Sequence, residues 1–375
     1  MKVLILSCNT GEGHNSAARA LSGHLISEGF ECTVTDTLSL VGKNISQMVS
    51  DLYLYSTRTS LFKYIYKIGM SISISLEKFK SPVYHWNSFY ASRLQQYIEE
   101  GRFDAVVCTH LFPAEAMTAI RKKGGLKSIP CIFIMTDYTC IPFLDETELD
   151  AYVIPHEHLT EEFAERGIDR RKLYPFGIPV SSEFHSKSPK KEARQAVIKD
   201  LGLALDPESS WLLIMTGSMG FGNTQKIVDE IQRQRKGPVD IIVICGKNAE
   251  MLKSLKEKNT ENVHPVGYTD RIPLLMDACD VLFTKPGGIS STEAMSKHIP
   301  LIHTEPIPGC ETRNAEFFHY HGMSFSSRNI RRQVNTALRL CHDRRYRKKM
   351  TDAQRLNARP DTCQNISDLI RDLIS

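Results

Sequence analysis

The stretch Lys285-Pro286-Gly287-Gly288 separates an apolar run, Val281 to Thr284, from a helix-compatible run, Ile289 to Lys297, and so reads as a strand, a glycine turn and a helix start. The first N–H groups of a helix lack intrahelical partners and carry partial positive charge, so Gly287 and Gly288 would let a phosphate approach them closely. Glu293, within the first turn and a half, would then accept hydrogen bonds from both hydroxyls of a ribose joined to that phosphate. Alone, the two glycines would more readily be read as a tight connection with no ligand. Two more units of the same kind argue for nucleotide chemistry. Gly11-Glu12-Gly13-His14 follows the apolar Val3 to Leu6, and Gly217-Ser218-Met219-Gly220 follows Leu212 to Met215. Neither is a Walker loop, and none completes the dinucleotide pattern Gly-x-Gly-x-x-Gly with a correctly placed acid. His14, at the start of a helix, is either a general base with a ring poised near neutral pH or a capping residue. Asp137 ends the apolar run Ile132 to Met135, where α/β sheets place ligands; it would orient His14, meet a substrate, or cap the next turn.

The elements that must position these residues alternate. Strands are expected at Val3 to Cys8, Cys32 to Thr35, Ala105 to Cys108, Cys131 to Met135 and Ala151 to Ile154, with helices between. The rhythm restarts with strands at Leu212 to Met215, Ile241 to Cys245, Val281 to Thr284 and Leu301 to His303, and helices near 224–234, 249–257, 271–279, 289–297 and 314–321. Alternation implies parallel, doubly wound sheets, and a restart implies two. The fold class expected is α/β with two Rossmann-like lobes, 1–180 and 181–355, followed by a segment 356–375 whose helix, Asn365 to Ile374, crosses back to the first lobe. The 375 residues suit two domains, with 41% hydrophobic and 24% charged residues as in a soluble globular chain. No apolar run is long enough to span a bilayer. Ten cysteines without a Cys-x-x-Cys pair, several inside strands, read as reduced buried thiols of a cytoplasmic protein.

At this point the residues resemble a family. The Gly11-x-Gly13-His14 loop, Met135-Thr136-Asp137, Gly177-Ile178-Pro179, Cys245-Gly246-Lys247-Asn248, Gly267-Tyr268, Lys285-Pro286-Gly287-Gly288 with Glu293, and Pro308-Gly309-x-Glu311-x-x-Asn314 look like the monogalactosyldiacylglycerol synthase and processive diacylglycerol glucosyltransferase family. The resemblance covers roughly residues 1–320. It implies a GT-B glycosyltransferase whose lobes face a central cleft, moving a hexose from a UDP-sugar to the free hydroxyl of diacylglycerol with inversion. It makes His14 the base, sets Tyr268 and Thr269 around the uracil, gives Glu293 the ribose, and gives the Cys310, Glu311 and Asn314 segment the donor sugar. With no Asp-x-Asp to hold a metal, the turns Gly217-Ser218-Met219 and Gly287-Gly288 would stabilise the leaving diphosphate, and no metal or other cofactor is expected. Cys310 stands where the family usually has glutamine, and Ile141-Pro142 where it often has histidine. Glucose is the expected hexose, with galactose and N-acetylglucosamine open.

The net charge of +4 is uneven. Arg58, Lys63, Lys67, Lys78 and Lys80 face only Glu77 across residues 53–80, and tyrosines, phenylalanines and Trp86 interleave with them up to Tyr90. That composition suits either an anionic membrane surface or an aromatic-cored helical pair with a solvated face. A diacylglycerol acceptor favours the membrane, hence a peripheral protein on the inner face of the cell membrane. No nucleic-acid-binding module accompanies the charge. Rival functions are a UDP-sugar 2-epimerase and a UDP-sugar sensor without turnover. The run Arg344 to Lys349 reads as a solvated helix face.

Overall fold

The computed structural model describes residues 1–9, 12–40, 42, 80–216 and 223–375. These fall into two compact units: 1–182 with 307–310 and 359–375, and 183–306 with 311–358.

The first unit runs β1 (Lys2–Ser7), α1 (Glu12–Ser27), β2 (Glu31–Asp36), α2 (Pro82–Ser88), α3 (Ala91–Gly101), β3 (Ala105–Cys108), α4 (Leu111–Lys122), β4 (Cys131–Ile134), β5 (Ala151–Val153), α5 (Thr160–Glu165) and β6 (Leu173–Tyr174). Its strands lie in the order β2-β1-β3-β4-β5-β6, every pair parallel. Parallel strands covered on both faces must be apolar throughout, which is why β3 and β4 are buried at every position. Val3, Ile5, Val107 and Ile132 form the core with Leu21 and Leu25 of α1.

The second unit runs α6 (Lys190–Leu201), β7 (Ser210–Met215), α7 (Thr224–Gln234), β8 (Val239–Gly246), α8 (Ala249–Lys258), β9 (Val263–Gly267), α9 (Ile272–Ala278), β10 (Val281–Thr284), α10 (Gly288–Lys297), β11 (Leu301–His303), α11 (Cys310–Tyr320), β12 (Phe325–Ser326), α12 (Ile330–His342) and α13 (Arg344–Asn357). The sheet order is β12-β11-β10-β7-β8-β9, again parallel. The core gathers Leu212, Ile214, Val243 and Phe283 under Ile227 of α7 and Val334 of α12.

The last helix, α14 (Thr362–Ile374), belongs to the first unit. Ile366, Leu369 and Ile370, three and four apart, bury one stripe in that core, and Arg371 pairs with Glu28 at 3.0 Å. Gly177 admits this return. Its φ is +106°, and a Cβ there would stand 2.8 Å from Arg359 Cβ and clash with the Thr362 hydroxyl.

All ten cysteines are free thiols. Among the described residues, no helix is long and apolar enough to cross a membrane.

Candidate functional site

In a parallel sheet, ligands gather beyond the carboxyl ends of the strands where the strand order reverses. In the first unit the reversal lies between β1 and β3, and in the second between β7 and β10. The four loops leaving those strands carry the three glycine turns and Thr109-His110.

His14 is the third residue of α1 and is half-buried. Its Nδ1 lies 2.7 Å from the carbonyl oxygen of Thr109, just past β3. A carbonyl only accepts, so Nδ1 carries the proton and Nε2 is left with its lone pair. Thr136 Oγ1, 3.0 Å from the same Nδ1, braces the ring, and His110 meets it edge-on at 4.6 Å. Burial lowers the His14 pKa from the ordinary histidine value, while the Asp137 charge and the Thr109 carbonyl oppose the fall. His14 is therefore a neutral imidazole near pH 7. Asp137 acts on it through its field, and the orienting bonds come from Thr109 and Thr136. His110 caps α4, its Nδ1 accepting the Phe112 N–H, and burial pushes its pKa well down as well. Upstream, Ser7 donates to Asn15, Asn15 to Asn9, and Asn9 to Asp36, tying the start of the loop to β2. Gly13 lies in the first turn of α1; Gly11 lies outside the described residues.

This arrangement gives a pH prediction. The acid limb of kcat/KM should titrate below the ordinary histidine value of about 6.5, because His14 must be neutral to accept a proton. Asp137→Asn removes a charge that favours imidazolium, so the limb should move to still lower pH and the plateau should fall. A limb that stays in place in a pH–rate profile would detach Asp137 from His14.

In the second unit, α10 begins at Gly288 with Gly287 as its cap and no side-chain capping bond. The N–H groups of Gly288, Ile289 and Ser290 have no partner among the described residues. At Gly287 the backbone is extended, φ −70° and ψ 141°, a conformation any residue adopts, and a Cβ there would meet nothing within 4 Å. Neither backbone nor packing among the described residues requires glycine there, which leaves room for a ligand over the helix end. Glu293, in the second turn of α10, has no hydrogen-bond partner among the described residues, and burial alone pushes its pKa up to about 8. Asn314 is buried and donates from Nδ2 to the Pro286 carbonyl at 3.0 Å, so it braces the turn. Lys285 Nζ holds Glu311 at 2.6 Å, a pairing the sequence did not signal. Cys310, half-buried, opens α11. Tyr268, just past β9, is 74% exposed, which leaves its ring face available. Thr269 Oγ1 accepts the Arg271 N–H at 3.1 Å. Gly217, Ser218 and Met219 lie outside the described residues.

Of the aromatic and basic segment 53–90, residues 53–79 also lie outside them. Lys80 is turned inward, its Nζ 2.8 Å from the Glu146 carbonyl and over the Tyr84 ring, so it is no free headgroup contact. Tyr84 and Tyr90 pack into the unit, whereas Trp86 is 49% and Phe89 82% exposed. Ser81 is fixed by both oxygens of Glu146, and Asn87 by Glu115, so α2 is firmly held while it presents those two rings.

One group of metal-ligand type stands among the described residues: His156, Glu157 and His158. The Arg359 guanidinium pairs with Glu157 and lies 3.1 Å from His156 Nε2, and His156 Nδ1 accepts the His158 N–H, so the group serves the return of the C-terminal segment.

Residues 14–180 match the family of monogalactosyldiacylglycerol (MGDG) synthase, and residues 220–357 match glycosyl transferases group 1. A processive diacylglycerol beta-glucosyltransferase of Bacillus pumilus strain SAFR-032 is 31% identical over 330 residues, covering 86% of this chain and 82% of that protein. The chain belongs to this family. A protein of the same name from Bacillus cytotoxicus is 27% identical over 378 residues, covering 98% of this chain and 93% of its own. Among solved structures, Acinetobacter baumannii MurG superposes with a TM-score of 0.63 at 14% identity, with 99% of each chain covered. UDP-GlcNAc 2-epimerase from Neisseria meningitidis, bound to UDP-GlcNAc, gives 0.63 at 14% identity, covering 99% of this chain and 100% of its own. At that identity both speak for the fold alone. As a family member this chain is a glycosyltransferase of the two-lobed GT-B kind, and the expected fold class holds.

Proposed function

We propose that the chain transfers a hexose, glucose first, from a UDP-sugar to the free hydroxyl of diacylglycerol with inversion at the anomeric carbon. The observation that carries this is His14, whose Nδ1 is committed to the Thr109 carbonyl so that Nε2 is free to act as base at a strand reversal. The names of the relatives supply the acceptor and the β-glucosyl product. Nε2 takes the proton of the acceptor hydroxyl as its oxygen bonds to the anomeric carbon. The bond from that carbon to the diphosphate oxygen breaks, and UDP leaves with the electron pair. The imidazolium then loses its proton to solvent.

Negative charge grows on the leaving diphosphate, and the N-terminus of α10, which no side chain caps, would stabilise it. Tyr268 gives the uracil a wall, Glu293 takes the ribose hydroxyls, and Glu311, held by Lys285, reads the hexose. The chain has no Asp-x-Asp pair, so full activity is expected in excess EDTA. Activity lost to EDTA and restored by magnesium or manganese would contradict helix-terminus stabilisation. The protein would meet its acceptor as a peripheral membrane protein, with Trp86 and Phe89 on the surface of the first unit.

Purified protein, dioleoylglycerol vesicles and UDP-glucose, UDP-galactose or UDP-N-acetylglucosamine should yield β-glucosyldiacylglycerol, identified by mass and by the anomeric coupling constant. An α-linked product would overturn inversion, and preferred transfer of another sugar would overturn the donor. Isomerised UDP-sugar with no acceptor consumed would favour an epimerase.

A further inference from the structure

Residues 328–358, at the end of the second unit, hold ten arginines and lysines against two aspartates, a net charge of +8. The whole chain carries only +4, so the remainder is net acidic. Helical spacing sorts these residues. Val334, Ala337 and Leu340 of α12 enter the core, leaving Arg332 and Arg339 outside; Met350 of α13 enters it too, leaving Arg345, Lys348 and Lys349 outside. The corner between the helices is fixed. Asp343 accepts the Tyr346 N–H at 2.9 Å and pairs with Arg339, whose guanidinium lies 4.3 Å from the Tyr346 ring centroid.

The cations divide into employed and unemployed. Asp352 takes Lys348 and Arg355, and Arg347 donates to the last carbonyls of α12, Leu340 and Cys341. Arg328, Arg331, Arg332, Arg344, Arg345 and Lys349 are exposed and make no side-chain hydrogen bond or ion pair among the described residues, although the charge of Arg331 is felt by Glu230. Four of them also sit where folding disfavours them. Arg331 and Arg332 lie in the first turn of α12 and Arg344 and Arg345 in the first turn of α13, and neither turn contains an acidic residue. A helix N-terminus is the positive end of the dipole, so local stability would favour aspartate or glutamate there. Two adjacent helices thus present paired arginines at the cost of their own stability.

We propose that this α12–α13 face docks on an anionic lipid bilayer, separately from segment 53–90. The proposal rests on the lipid-acceptor reading, because an enzyme whose acceptor stays in the bilayer gains from repeated reversible contact with it. Unpaired cations suit a headgroup layer. Nucleic acid fits less well, since the Tyr346 ring at the corner is covered by Arg339 and offers bases no stacking platform.

The test is the full-length quadruple variant R331Q/R332Q/R344Q/R345Q, sedimented with phosphatidylcholine vesicles with or without about one-third phosphatidylglycerol, at ~0.1 M salt. Each cation near an anionic surface is worth roughly fivefold in partitioning, so binding to the anionic vesicles should fall at least about tenfold, with neutral vesicles unaffected. The matching Arg→Lys variant should bind like wild type. UDP affinity and transfer to detergent-dispersed diacylglycerol should be unchanged in both, which separates this proposal from the glycosyl-transfer reading. The glutamine variant should also melt at or above the wild-type temperature, because cations leave two helix N-termini. Unchanged sedimentation would overturn the proposal, as would a lowered melting temperature with loss shared by the lysine variant. RNA binding lost by the glutamine variant while vesicle binding persists would overturn it in favour of a nucleic-acid surface.

Discussion

Replacing His14 by alanine is expected to lower kcat at least about a hundredfold while UDP affinity changes little. The expectation rests on the proton inventory of the ring. Nδ1–H is committed to the Thr109 carbonyl and braced by Thr136, so only Nε2 can accept a proton, and burial keeps the ring neutral near pH 7. Without it the acceptor hydroxyl must attack while still protonated, or lose its proton to water. Nothing in this role holds the nucleotide, so calorimetric UDP binding should survive the substitution. His14→Gln preserves an N–H for the Thr109 carbonyl without supplying a base, and it should be as slow as alanine. Near-normal turnover in either variant would remove His14 as the base. If the glutamine variant alone recovered activity, the ring would be a structural brace.

The sequence made some of this site legible and hid the rest for identifiable reasons. Strands buried on both faces appear as unbroken apolar runs, so Ala105 to Cys108 and Val281 to Thr284 coincide with β3 and β10. β9 escaped because it is a half-exposed edge strand containing Pro265, and β6 and β12 because two residues carry no pattern. Glycine turns announce themselves by composition. Backbone acceptors do not, so the Thr109 carbonyl that sets the His14 tautomer could not be read from residue types. Nor could composition tell that Asn314 would brace the Pro286 carbonyl, or that Tyr84 would pack inward while Phe89, five residues on, faces out. Side-chain direction depends on helix phase against the core, and α2 is too short for its spacing to declare one.

Glu293→Ala should weaken UDP binding by about 1.5–3 kcal/mol at a pH where the wild-type carboxylate is ionised, the scale of charge-assisted hydrogen bonds. The pH matters because burial without a compensating partner raises the Glu293 pKa to about 8, leaving it mostly protonated near pH 7. Two ribose hydroxyls donating to the carboxylate favour its charged form, so binding should pull the pKa down and release a proton. The sign follows. Ionising a group one unit below its pKa costs about 1.4 kcal/mol, so wild-type affinity should be offset by roughly that amount at pH 7 and should tighten as pH rises through 8. Comparison with Glu293→Gln cancels the titration of UDP itself, since a glutamine at 293 has no ionisation to contribute. Calorimetry in buffers of different ionisation enthalpy should therefore show proton release from the wild type in excess of that from the glutamine variant. Equal proton release in the two, together with unchanged affinity in the alanine variant, would place the ribose elsewhere and leave the end of α10 with its phosphate role alone.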